Sequence, residues 1–70
     1  MPTFDPHLVQ VMRNALEEVM ARVPLEHSTP ATKAYLAECI LKAAAKGQTS
    51  YDGLVDLAAA QLQVVLLMFP

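Results

Sequence analysis

Apolar side chains recur at helical spacing in three stretches, each bounded by proline or glycine. In the first, Leu8, Met12, Ala15, Leu16, Val19, Met20 and Val23 share one side, and Gln10, Arg13, Asn14, Glu17, Glu18 and Arg22 fall on the other. Arg13/Glu17 and Glu18/Arg22 are i,i+4 pairs of opposite charge, each adding about 0.2–0.5 kcal/mol. Asp5 followed by Pro6 supplies a cap acceptor and then a proline at a position whose N–H has no helical partner. Pro24 disfavours helical backbone at Val23. The pattern predicts a first helix over about 6–23.

Thr29 followed by Pro30 repeats the cap-and-proline signal, and Gly47 stands where a helix ends in left-handed backbone. A second helix is therefore expected over about 30–46, after a connection reading "PLEHSTP". Its inward stripe is Leu36, Ala37, Ile40, Leu41, Ala43 and Ala44, with Glu38, Lys42 and Lys46 opposite. Small residues dominate that stripe, so close approach of a neighbouring helix is expected. A third helix is expected over about 50–68, capped by Thr49 with Asp52 three residues on in a capping-box arrangement. Asp52 and Asp56 then lie in its first two turns, where the helix dipole favours negative charge.

The third segment carries more apolar surface than a three-helix core can use. Leu54, Val55, Ala58, Leu62, Val65, Leu66 and Phe69 make one face, which suffices to close the core. Leu57, Ala60, Val64, Leu67 and Met68 form a second apolar strip beside it, and Asp52, Asp56, Ala59 and Gln63 mark a narrow solvent line. Gln61 falls inside the apolar sector. A helix that is apolar nearly all round is buried nearly all round, and two neighbours in a chain of 70 residues do not cover it. The uncharged run from Leu57 to Phe69 is shorter than the roughly 20 residues a bilayer span needs. It also lacks the basic edge of an interfacial helix, so no transmembrane segment is expected. Burial against another chain is the expectation, as a homodimer through Leu57, Ala60, Val64, Leu67 and Met68. An unknown protein partner using the same strip, in a larger complex, is the alternative.

Composition supports an all-α reading and narrows the chemistry. The chain is 54% hydrophobic and 6% aromatic, with a mean hydropathy of +0.32, and draws that apolarity from Ala, Leu and Val. So short a chain is usually reinforced by a disulfide, a metal or association. Cys39 is its only cysteine, and His7 and His27 lie far from it and from each other. Neither a disulfide framework nor a metal site is expected, which leaves association. No cofactor is implied either. A net charge of -2 offers no long-range attraction to nucleic acid or an anionic membrane.

Candidate catalytic groups do not assemble. The histidines have no serine, cysteine or carboxylate at triad spacing. Cys39 has no cationic cluster beside it and lies on the flank of the second helix. Glu17 and Glu18 are adjacent and diverge from a helix, so they are poor as an acid and base pair. Gly47 and Gly53 do not form a phosphate-cradling loop. No enzyme is expected. "AAAKGQTSYDGL" has the outline of a helix-turn-helix, and a weak DNA-binding regulator is a second alternative. Residues 48–70 contain no Lys or Arg, however, and Asp52 and Asp56 would face phosphates, so nucleic acid is not an expected partner. A free thiol, and an N-terminal stretch without the charged and apolar regions of a secretion signal, make the cytoplasm the expected location.

Phe4-Asp5-Pro6, Met12-Arg13, Ala15-Leu16-Glu17, Lys33-Ala34, Ala37, Ile40-Leu41, Ala43-Ala44, Gly47, Ser50 and Gly53-Leu54 together give a pattern over residues 4 to about 58. It resembles a group of short uncharacterised helical proteins of rhizobia and related alphaproteobacteria. Most of the matched positions are cap and core positions. The resemblance implies a bacterial three-helix protein and brings no activity with it. The sequence as a whole predicts an all-α, single-domain, three-helix bundle completed by dimerisation through its C-terminal helix. The expected role is that of a non-enzymatic interaction or regulatory module.

Overall fold

Proline and glycine mark the helix boundaries in space as they do along the chain. The computed structural model describes residues 5–68. Within them α1 spans Pro6–Ala21, α2 Pro30–Ala45 and α3 Tyr51–Met68, and a short 3-10 turn covers Leu25–His27. No strand occurs among the described residues. The architecture is an all-helical chain of three helices, 36 × 20 × 18 Å in extent.

The Asp5 carboxylate accepts the His7 N–H at 2.6 Å and so caps α1. This helix stops at Ala21, two residues short of 23. The Arg22 and Val23 N–H groups donate to the carbonyls of Val19 and Met20, at 3.0 and 3.2 Å. Such i to i−3 bonds close a helix in a 3-10 turn, and Pro24 bars the backbone from continuing. The prolines on either side then tighten the connection into the unforeseen 3-10 turn, where His27 N–H donates to Pro24 O at 2.9 Å.

Thr29 Oγ1 accepts the Thr32 N–H at 3.2 Å and caps α2. This helix stops at Ala45, with Lys46 as its C-cap. Gly47 follows at φ +106°, a region that side chains rarely adopt. Gln48 N–H donates to Ala43 O at 3.0 Å and Gly47 N–H to Ala44 O at 3.1 Å. These are the paired bonds of a Schellman motif, which satisfy two otherwise orphaned carbonyls.

The start of α3 differs from expectation in its cap. Ser50, not Thr49, is the capping residue, and its Oγ accepts the Gly53 N–H at 3.1 Å. Gln48 Oε1 in turn accepts from Ser50 N–H at 3.3 Å and from Ser50 Oγ–H at 3.0 Å. Asp52 therefore stands one position too early for a capping box with Ser50. A Cβ on Gly53 would run into the folded-back Gln48 amide and displace it from Ser50.

The core takes Met12, Ala15, Val19 and Val23 from α1 and the residues that follow it. It takes Leu36, Ile40, Ala43 and Ala44 from α2, and Leu54, Val55, Ala58 and Leu62 from α3. Val19, Leu36 and Leu54 are its largest fully enclosed side chains, one from each helix. Among the described residues no polar side chain is buried, so burial of apolar surface is the main drive to fold. Four buried alanines leave little bulk between backbones, and α3 packs more extensively on α1 and α2 than those two do on each other. Leu41 departs from the expected inward stripe and is exposed. It lies one position beyond Ile40, and the narrow alanine seam turns only Leu36, Ile40, Ala43 and Ala44 fully inward. Val65 and Leu66 are half-buried, and Phe69 lies outside the described residues.

Candidate functional site

The apolar strip of α3 divides according to how near each residue stands to the core. Leu57 is half-buried and packs against the core cluster. Ala60 is exposed. Further on, Val64, Leu67 and Met68 retain 42%, 83% and 66% of their accessible surface, an unusual exposure for three large apolar side chains within five residues. No charged side chain follows Asp56, so water meets this end of the helix with little polar compensation.

Val64 and Met68 also form one wall of a groove. The groove has a volume of about 530 Å³ and runs between the last turns of α3, the start of α2 and the 3-10 turn. Val65 shares the α3 wall, while Ala31, Thr32 and Tyr35 face it from α2, and Glu26 and His27 stand at its rim. Its volume falls within the range of about 300–1,000 Å³ typical of small-ligand clefts. Its lining is mainly apolar, and its polar groups lie on the α2 side and at the rim. Leu25, next to the rim residues, is 90% exposed.

Tyr35 ties the α2 wall to α3. Its hydroxyl donates to Gln61 Oε1 at 2.9 Å, which gives Gln61 a partner within its otherwise apolar sector. The phenol is held above its ordinary value of 10.0 by partial desolvation first, then by the neighbouring Cys39 thiol one turn along α2. Glu38 adds to the rise and Lys42 opposes it. The hydroxyl therefore remains a neutral donor throughout the physiological range. Neither Tyr35 nor the groove was read from the sequence. The available signal was Gln61, an amide in an apolar sector, which calls for a polar partner on a facing helix.

Among the described residues two ion pairs form along the helices, while the expected pair of Arg13 with Glu17 is not among them. Arg22 Nε donates to Glu18 Oε2 at 3.0 Å, and Lys42 Nζ stands 3.3 Å from Glu38 Oε1. The first pair lines a second hollow of about 390 Å³ with Tyr51, Asp52, Val55 and Asp56, in which three carboxylates face one guanidinium. Cys39 is a half-buried free thiol. His7 lies in the first turn of α1, remote in sequence from His27 at the groove rim. Among the described residues no three His, Cys, Asp or Glu side chains gather as a metal site.

By length and composition α3 is also able to cross a bilayer. Its 18 residues have a mean hydropathy of 1.3, and 28% of them are buried within the chain. The core helix of a small soluble bundle meets the same description. No protein family, curated protein or solved structure matches the chain.

Proposed function

We propose that this chain is a non-enzymatic helical interaction or regulatory module that self-associates through α3 as a homodimer. The exposure of Val64, Leu67 and Met68 on an uncharged helix end carries this reading. A twofold axis beside α3 brings each copy's strip against the other's, so one contact covers both. Val64 and Met68 do double duty, as strip and as groove wall, which widens the apolar area available to the mate. The reading of α3 as a packing helix rests on Leu54, Val55, Ala58 and Leu62, which are enclosed against α1 and α2. Kinship with the short helical proteins of rhizobia and a cytoplasmic setting belong to the same proposal, supported by the cap and core pattern and the free thiol.

Size-exclusion chromatography with light scattering, over a hundredfold range of concentration, tests the proposal. The expected outcome is a dimer that dissociates on dilution. Val64→Glu is expected to give a monomer, because an unpaired carboxylate buried in the interface costs several kcal/mol. A monodisperse monomer at high micromolar concentration would overturn self-association. The second reading, a subunit of a hetero-complex using the same strip, draws on the groove beside it, whose walls come from three elements and offer a shaped seat for a foreign segment. A weak DNA-binding role has less support, since Lys42 is paired with Glu38. Loss of DNA binding that is steep in salt is its signature.

A further inference from the structure

We draw no further inference here: the strongest candidate, the apolar groove between the start of α2, the 3-10 turn and the last turns of α3, is an open face, and nothing in the structure shows what covers it.

Discussion

Gly47 and Ser50 are the residues on which the turn between α2 and α3 depends. At Gly47, φ is +106° and an added Cβ would meet nothing within 4 Å. Gly47→Ala therefore isolates the backbone term from any clash. A loss of about 1–2 kcal/mol is expected, read as a fall in Tm of about 4–8 °C for each kcal/mol in a domain of this size. An unchanged Tm would mean that the turn does not hold left-handed backbone in solution. Ser50→Ala removes the oxygen that accepts the Gly53 N–H and is expected to cost about 1 kcal/mol in urea unfolding. Thr49→Ala is expected to be near neutral. The opposite ranking would return the cap to Thr49.

At the scale of elements, α2 and α3 meet through the alanine seam at one level and through the Tyr35–Gln61 hydrogen bond at another. Because the fold holds the Tyr35 phenol above its ordinary value of 10.0, the folded state favours the protonated form. The linked stabilisation is whole below the unfolded value and is lost as pH rises through the folded one. Ultraviolet titration of the phenolate in a Tyr51→Phe background is expected to place Tyr35 above the ordinary tyrosine range. Cys39→Ala should then lower it, since the neighbouring thiol contributes to the rise. A Tyr35 that titrates at its ordinary value with Cys39 intact would show that the approach of Tyr35 to Cys39 along α2 is not kept in solution. The helix ends show how local chemistry is settled by neighbours. Asp5, Thr29 and Gly47 act where their residue types suggest, but the choice between Thr49 and Ser50 follows the path of the chain after the Schellman turn, which swings Gln48 back onto Ser50.

For the whole molecule, the buried and exposed faces of α3 separate the residues that hold the fold from those proposed for self-association. Leu36→Ala, at a fully enclosed site, is expected to destabilise by about 2–5 kcal/mol, at any protein concentration. Val64→Glu acts on the exposed face. If the chain self-associates, wild-type Tm rises with concentration by mass action and Val64→Glu abolishes that dependence, which differential scanning calorimetry at several concentrations would read. A concentration-independent Tm in both proteins would sink the dimer. The helical class, the three segments, most of the caps and most of the core were legible in the sequence because they depend on spacing within a segment, which proline, glycine and the 3.6-residue period set locally. Leu57 and Leu67 look alike in that pattern, yet one is packed against the core and the other is 83% exposed. The difference lies in which side of α3 faces the core, for Leu66, next to Leu67, packs against it. The Tyr35–Gln61 bond joins residues 26 positions apart, and the groove is walled by elements from both halves of the chain. The sequence by itself determined the three helical segments and most of the residues that turn inward along them, Leu41 being the exception. Only the tertiary structure decided which apolar residues are left without a neighbour, because that depends on where three rigid helices of fixed length cross.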